Sequence, residues 1–161
     1  MIKLLMLDLD GTVRNCTVEG QPTPNKPGEQ ALIPLALGRM NEAQLAGVRI
    51  VFITNAGGVG EGYQTMDEWR SVMVELFKML TYNAIDVADI TTLAAFGKPG
   101  KDARRKPSPA MLNEALTFFD VDPGDALMVG DRPEDAAAAS AAGVPFMWAA
   151  AWHGSSIDFG G

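Results

Sequence analysis

The chain has 161 residues, enough for one domain with a substantial hydrophobic core, and we expect a single domain over residues 1–161. Its formal net charge is −7, so no overall positive charge attracts nucleic acid or an anionic membrane. The single cysteine, Cys16, excludes an intrachain disulfide and a zinc site built from several cysteines. Apolar runs stay below the ~18 residues of a membrane span, and the residues before Asp8 do not resemble a cleaved signal peptide. These features favour a cytoplasmic protein without a membrane partner, and they leave the oligomeric state open.

The first apolar run, residues 2–7, predicts a buried strand that opens onto Asp8-Leu9-Asp10-Gly11-Thr12. A turn after the strand can bring the Asp8 and Asp10 carboxylates towards one small volume. Two crowded carboxylates repel each other unless a cation or a shared proton lies between them. Gly11 permits a tight turn, and Thr12 offers a hydroxyl and an N–H group to an anion. The motif therefore indicates a Mg2+ site or an acid and nucleophile pair.

The next elements predict alternating strands and helices, which favours an α/β fold with a doubly wound, Rossmann-like parallel sheet of about five strands. Residues 13–30 contain three prolines and predict a loop. Capping signals at Pro34, Thr65 and Ser108 predict three helix starts. The tail from about residue 153 is rich in Gly and Ser and predicts a flexible end. The remaining strands are predicted at residues 49–53, 91–96, 125–129 and 144–148, and a fourth helix at 136–142.

Polar residues follow these elements in a fixed order. Thr54 and Asn55 follow the second strand, Lys106 precedes the third helix, and Asp131 and Asp135 follow the fourth strand. Three of the four polar groups, counting Asp8 and Asp10, lie at or just beyond the carboxyl end of a strand. Open α/β sheets bind their ligands at that edge.

These four motifs, in this order, resemble those of the haloacid dehalogenase (HAD) superfamily of phosphotransferases over roughly residues 2–150. The resemblance implies that Asp8 attacks phosphorus to form an aspartyl phosphate, and that Asp10 acts as general acid and then general base. It also implies a Mg2+ ion held by Asp8, the backbone carbonyl of Asp10, and Asp131. Thr54 would bind the transferring phosphoryl group, and Lys106 would offset negative charge on Asp8 and the phosphate. The expected function is therefore Mg2+-dependent hydrolysis of a small phosphomonoester.

Five further residues have less specific signals or none. Asn55 and Thr12 are candidate substrate-binding residues beside the second and first motifs. Arg105 could bind phosphate in a bidentate way, or belong to a solvated basic surface. Asp135 could support Lys106 or a metal-bound water, or stabilise the start of a helix. His153 lies outside every motif and is expected to be a surface or packing residue.

The interval from residue 13 to 30 is too short to fold as a cap domain, so we expect a capless enzyme with an open site. The Lys-Pro-x-Pro pattern after Arg105 resembles the branch that contains histidinol-phosphate, heptose bisphosphate and polynucleotide 3′-phosphatases. Enzymes of the first two kinds often carry a cysteine-rich zinc loop before the lysine. This chain has residues 97–101 there without cysteine, which leaves those substrates open. Polynucleotide is possible at the basic stretch 98–106, although the acidic balance of the chain does not favour it.

Three other classes of protein use part of this pattern. A response-regulator receiver also combines acidic residues, Thr and Lys, but its acceptor aspartate ends the third strand, where this chain has Gly97 and Lys98. A metal-dependent glycosyltransferase can use Asp-x-Asp, but it leaves Lys106 and Asp131 unexplained. A non-catalytic HAD-like binding subunit would bind ligand or partner without turnover.

Overall fold

A computed structural model describes residues 1–155, 157 and 159. Five strands form a parallel sheet in the order β5-β4-β1-β6-β7. A separate antiparallel pair, β2 and β3, follows the first strand. The strands are β1 Leu4–Leu7, β2 Arg14–Cys16, β3 Gln30–Leu32, β4 Arg49–Asn55, β5 Ile90–Ala95, β6 Ala126–Gly130 and β7 Phe146–Trp148. The doubly wound α/β fold predicted from the sequence is confirmed.

Helices cover both faces of the sheet. The helices are α1 Pro34–Leu45, α2 Gly57–Gly60, α3 Met66–Tyr82, α4 Ala110–Phe119, α5 Pro133–Ala142 and α6 Ala149–His153. Apolar side chains of α1, α3 and α6 form one core cluster, and those of α4 and α5 form the other. Strand β1 supplies Leu5 and Leu7 to the first cluster and Leu4 and Met6 to the second. Because β1 is buried on both faces of the sheet, its sequence is an uninterrupted apolar run.

Strand β1 lies at the centre of the sheet and brings the acidic motif to the ligand-binding edge. Leu7 pairs with Phe52 of β4 on one side and Val129 of β6 on the other. The polar residues that follow these three strands are therefore neighbours at one carboxyl edge. This register explains why motifs separated by more than a hundred residues meet in one site.

The segment from residue 13 to 30 differs from the loop that the sequence predicts. It contains the short strand β2 and ends where β3 begins, and these strands form a hairpin in which Arg14 pairs with Leu32 and Cys16 with Gln30. Each strand has three residues, and their polar side chains hide the alternation that identifies a half-buried strand. A prediction at α4 was also wrong, because Pro109 and not Ser108 occupies the N-cap position. The Ser108 hydroxyl still accepts a hydrogen bond from the Ala110 N–H group at 3.2 Å.

Some residues of the tail that the sequence predicts to be flexible contact the rest of the protein, and its flexibility stays a prediction. His153 ends helix α6, and its Nε2 lies 2.7 Å from the carbonyl oxygen of Thr12. Ile157 and Phe159 pack with the first core cluster. The rest of the predicted flexible tail, residues 156, 158, 160 and 161, lies outside the described residues. In the part of the chain that the structure describes, no helix has the length and apolar character to cross a membrane.

Candidate active site

Lys106 lies at the centre of a buried ion-pair network at the carboxyl edge of the sheet. Its Nζ donates to Asp8 Oδ1 at 2.9 Å, to Asp135 Oδ1 at 2.6 Å and to the carbonyl oxygen of Ile53 at 2.7 Å. All three hydrogens of the ammonium group are therefore used. Lys106 is 3% exposed and Asp135 is 2% exposed, so the network lies almost entirely out of solvent. Three motifs, far apart in the chain, meet at this one ammonium group.

Asp135 has a second function at the start of helix α5. Its Oδ2 accepts hydrogen bonds from the backbone N–H groups of Asp131 and Arg132, each at 3.1 Å. These contacts hold the turn that carries Asp131 next to the network. The two roles weighed for Asp135 are thus not alternatives, since one oxygen contacts Lys106 and the other the helix start. Three of the four lone-pair sites of this carboxylate are thus already used, so Asp135 fits a supporting position better than that of a direct metal ligand.

The Asp131 carboxylate packs over the first motif at Gly11. Gly11 has a φ of +80°, and a Cβ atom at this position would overlap the Asp131 carboxylate. A residue with a side chain would therefore meet two costs here, a left-handed backbone and a steric conflict. One oxygen each of Asp8, Asp131 and Asp135 lie within 4.8 Å of one another.

The charges of the network oppose one another. Burial raises the pKa of Asp8 to about 7, even though the nearby Lys106 charge acts to lower it. Burial also acts to lower the pKa of Lys106, but the charges of Asp8 and Asp135 outweigh burial and raise it. Burial and the charge of Asp135 raise the pKa of Asp131. The lysine therefore stays protonated, while burial outweighs the Lys106 charge at Asp8 and disfavours the ionised forms of both Asp8 and Asp131.

A small divalent cation fits between Asp8 and Asp131. Hard cations prefer carboxylate and carbonyl oxygens as ligands. The positive charge of the ion would also favour the ionised forms of Asp8 and Asp131. The backbone carbonyl of Asp10 accepts no backbone hydrogen bond within the described residues, so it would be available as a third ligand. The donor set that the sequence predicts therefore suits such an ion.

Asn55 holds the backbone of Lys106 in place. Its Oδ1 accepts from the Lys106 N–H group at 2.9 Å, and its Nδ2 donates to the Lys106 carbonyl at 3.0 Å. Because these bonds use both ends of the amide, the structure gives Asn55 a supporting contact. A contact between Asn55 and substrate stays a prediction.

An open cleft of about 1260 Å³ leads to Asp8, Asp10 and Lys106. Its walls come from the loops around residues 18–25 and 99–105, from helix α2 with the residues that follow it up to 63, and from the start of α5. Arg105 lines the cleft, and the only hydrogen bond of its side chain among the described residues is a long one of 3.4 Å from Nη1 to the Gly97 carbonyl. The neighbouring Arg104 instead forms a two-bond ion pair with Glu114, so the two arginines have different roles.

The loop before Lys106 is organised by a carboxylate. Asp102 accepts hydrogen bonds from the N–H groups of Gly97 at 2.7 Å and Arg104 at 2.8 Å. The bonds from Arg104 and Gly97 lower the pKa of the Asp102 carboxyl. The loop thus has its own polar centre, a carboxylate, in a segment that contains no cysteine.

Comparisons with known proteins identify the family of this chain. Residues 103–150 match the HAD-hydrolase-like family. The chain is 31% identical to a probable D-glycero-D-manno-heptose-1,7-bisphosphate 7-phosphatase of Thermoplasma acidophilum, over 90% of this chain and 88% of the relative. It is 30% identical to the D-glycero-beta-D-manno-heptose-1,7-bisphosphate 7-phosphatase of Mesorhizobium japonicum, over 89% of this chain and 67% of the relative. The chain belongs to the HAD-like phosphatases.

A solved structure of the same family shows the same fold. The D,D-heptose 1,7-bisphosphate phosphatase of B. bronchiseptica, crystallised with magnesium and phosphate, superposes with a TM-score of 0.77 and 26% identity. The match covers 90% of this chain and 79% of that protein. As expected for a capless HAD-like phosphatase, the described residues form no cap domain.

Two predicted site residues lie away from the cleft surface. Thr12 is fully buried, and its N–H group donates to the Leu9 carbonyl at 3.1 Å, so the structure does not present this residue to an anion. The reason is that the chain turns tightly after Leu9, which directs Thr12 inward. Thr54 is 3% exposed at the end of β4, and its contact with a phosphoryl group stays a prediction.

The structure also identifies contacts that sequence reasoning missed. Arg14 lies beside Asp10, with its Nε 3.1 Å from Asp10 Oδ1. Gln64 connects two walls of the cleft, because its Nε2 donates to the carbonyls of Pro24 at 3.1 Å and Asn25 at 3.3 Å. A polar residue inside a short strand next to the acidic motif was the only available signal for Arg14. No local pattern indicates the partner of Gln64.

Proposed function

We propose that this HAD-like phosphatase hydrolyses phosphomonoesters through an aspartyl phosphate at Asp8, with Mg2+ as its cofactor. The observation that supports the proposal most is the contact of Lys106 with both Asp8 and Asp135, next to Asp131. This arrangement directs one oxygen of Asp8 to the lysine and leaves the other available. A Mg2+ ion between Asp8 and Asp131 would supply positive charge that offsets the phosphoryl charge.

In the first half-reaction, Asp8 attacks phosphorus as the bond from phosphorus to the leaving oxygen breaks. Asp10 gives its proton to that oxygen, and the product alcohol leaves. In the second half-reaction, Asp10 removes a proton from water, which attacks phosphorus and releases phosphate and the Asp8 carboxylate. Lys106 holds Asp8 in place through both steps and offsets its charge when the anionic substrate approaches.

We propose a heptose bisphosphate, or a sugar bisphosphate of the same class, as the substrate. Two relatives that match most of this chain are named for the 7-phosphatase reaction on heptose-1,7-bisphosphate. Arg105 at the wall of the cleft supports this proposal, because a cation with one long hydrogen bond suits a second phosphate group. The open cleft, about 1260 Å³, also leaves room for a substrate with two phosphates.

The test is phosphate release from a panel of phosphomonoesters with Mg2+ or with EDTA, for the wild-type protein and for Asp8→Asn. The panel contains heptose-1,7-bisphosphate, heptose-7-phosphate, histidinol phosphate and a 3′-phosphorylated oligonucleotide. We expect Mg2+-dependent turnover that is lost in Asp8→Asn, with the bisphosphate as the best substrate. Turnover by Asp8→Asn at the wild-type rate would refute the nucleophile. A preference for the oligonucleotide would refute the substrate class but not the reaction.

A further inference from the structure

Arg14 is a buried arginine that none of the four motifs includes. Its residue is 2% exposed, and its Nε donates to Asp10 Oδ1 at 3.1 Å. Burial of a guanidinium group is costly unless a partner offsets its charge. Among the residues that the structure describes, Asp10 is the carboxylate that Arg14 contacts. The buried arginine and the acid–base residue are therefore a specific pair.

Gln30 fixes the orientation of Arg14 from the opposite side. The Gln30 Nε2 donates both hydrogens to backbone carbonyls, one to Pro27 and one to Val72, each at 3.0 Å. Its Oε1 must therefore face Arg14, and it accepts a hydrogen bond from Nη1 at 3.0 Å. The Gln30 residue is 6% exposed, so water does not compete effectively for these bonds.

The backbone joins the same residues to the turn that carries Asp10. The Gly11 N–H group donates to the Arg14 carbonyl at 2.8 Å. Strands β2 and β3 pair Arg14 with Leu32, and the Gln30 contact with Val72 attaches this hairpin to helix α3. A continuous set of hydrogen bonds thus runs from a long, packed helix to one oxygen of Asp10.

We propose that Arg14 is a positioning residue, which holds Asp10 Oδ1 so that Oδ2 carries the proton delivered to the leaving oxygen. This inference rests on the proposed function, in which Asp10 is the general acid. In that step, the bond from Asp8 to phosphorus forms and the bond to the leaving oxygen breaks. The electron pair of the broken bond goes to the leaving oxygen, which takes the Asp10 proton and departs as an alcohol.

Without Arg14, the Asp10 carboxyl group has more freedom to turn towards solvent, since its side chain is already 25% exposed. Proton delivery requires a fixed geometry, and small displacements reduce its rate strongly. The effect must depend on the leaving group. An alkoxide leaves only with a proton, whereas 2,4-dinitrophenolate leaves as an anion and needs none.

The experiment measures single-turnover release of the leaving group, which reports only the first half-reaction. Wild type and Arg14→Met are compared with a sugar phosphate and with 2,4-dinitrophenyl phosphate, both with saturating Mg2+. We expect Arg14→Met to lose about 10- to 100-fold with the sugar phosphate and less than about 3-fold with the dinitrophenyl ester. Arg14→Lys, which keeps the charge next to Asp10, should recover part of the loss. An equal loss with both substrates, or no loss with either, would overturn the proposal.

One control variant separates positioning from a general effect on stability. Arg39→Met removes a similar arginine, which pairs with Glu42 at 2.8 Å on helix α1 and lies outside the cleft. Arg39→Met should leave the ratio of the single-turnover rates with the sugar phosphate and the dinitrophenyl ester unchanged. If Arg14→Met does not fold, Arg14→Lys is measured alone; it keeps the charge but loses the two-sided contact of the guanidinium with Asp10 and Gln30, so a smaller loss that is still selective for the sugar phosphate is expected.

Asp10→Asn separates this inference from the proposed function. If Asp10 is the acid, Asp10→Asn alone should lose about 10²- to 10⁴-fold with the sugar phosphate and much less with the dinitrophenyl ester. Adding Arg14→Met to Asp10→Asn should then cause no further selective loss. A selective loss in Asp10→Asn but not in Arg14→Met refutes only the role of Arg14. An absence of selectivity in Asp10→Asn refutes the acid role itself.

Discussion

Lys106 illustrates how much one residue of this site depends on its partners. Its ammonium group contacts two carboxylates and a carbonyl, and it is almost fully buried. The desolvation cost of such a cation is met only because all its hydrogens are used and both carboxylates lie within 3 Å. Removing the lysine would leave Asp8 and Asp135 buried and facing each other.

Lys106→Met should therefore reduce both turnover and stability. We expect a loss of at least about 10²-fold in kcat/KM and a decrease of about 3–5 kcal/mol in the free energy of unfolding. Steady-state kinetics and urea denaturation measure the two effects. Lys3→Met is the matched control, because Lys3 pairs with Asp125 at 3.2 Å on the surface with 60% of its side chain exposed. Lys3→Met should change the free energy of unfolding by less than about 1 kcal/mol. An equal decrease in both variants would contradict a stabilising role of the Lys106 network.

Gly11 gives a prediction of a different kind, since its importance lies in the missing side chain. Gly11→Ala would place a methyl group against the Asp131 carboxylate, so the Mg2+ concentration for half-maximal activity should rise by about 10- to 100-fold. The left-handed backbone adds a stability cost of about 1–2 kcal/mol. Gly47→Ala is the control, because Gly47 has a similar φ of +77° with nothing within 4 Å of the added Cβ. Gly47→Ala should lose a similar amount of stability and keep the Mg2+ dependence of the wild type. An equal change in Mg2+ dependence in both variants would contradict the assignment of Asp131 as a metal ligand.

Most of the site residues could be predicted because each follows a strand or precedes a helix. Asp8, Asp10, Asp131 and Asp135 have this local signal, and the structure brings them together with Lys106. The bonds between Asn55 and the Lys106 backbone connect positions 51 residues apart, and no local pattern contains them. The prediction for Thr12 fails in the opposite way. Its position in the first motif predicts contact with an anion, but the turn after Leu9 buries its side chain.

At the scale of elements, long apolar runs identified β1, β4 and β6, whereas short polar strands escaped detection. The hairpin β2–β3 is held by side-chain contacts of Arg14 and Gln30, and these depend on tertiary structure rather than on alternation. The same hairpin leads into the loop around residues 18–25, which forms one wall of the cleft. The hairpin β2–β3, which the sequence did not predict, therefore contributes to the shape of the cleft, as do the predicted strands β1, β4 and β6.

A substitution at Gln64 can show whether the cleft wall formed by residues 18–25 contributes to substrate binding. Gln64→Met removes the bonds to the Pro24 and Asn25 carbonyls and should loosen the wall. We expect KM for a sugar bisphosphate to rise about 3- to 10-fold, since a loosened wall must be ordered on binding, with little change in kcat. Thr65→Ala is the control, because Thr65 caps helix α3 and its loss costs about 1 kcal/mol of stability without touching the wall. Equal KM values for both variants and wild type would contradict a binding role for the wall.

At the scale of the whole molecule, the order β5-β4-β1-β6-β7 is what makes a site from separate motifs. Parallel strands bring their carboxyl ends to one edge, and both faces of the sheet are used for burial, so chemistry is confined to that edge. The motif order and the alternation of elements were sufficient to predict this architecture. The walls of the cleft, which decide what substrate enters, come from loops that have no periodic pattern.

The central claim is that Asp8 becomes covalently phosphorylated during turnover. The most direct measurement is to quench the enzyme with acid during turnover with Mg2+ and a sugar bisphosphate, then reduce it with borohydride and map the peptides by mass spectrometry. Reduction converts an aspartyl phosphate to homoserine, so we expect homoserine at position 8 in wild type, and none in Asp8→Asn or in enzyme quenched without substrate. Turnover without a modified residue, or modification at another carboxylate, would contradict the mechanism.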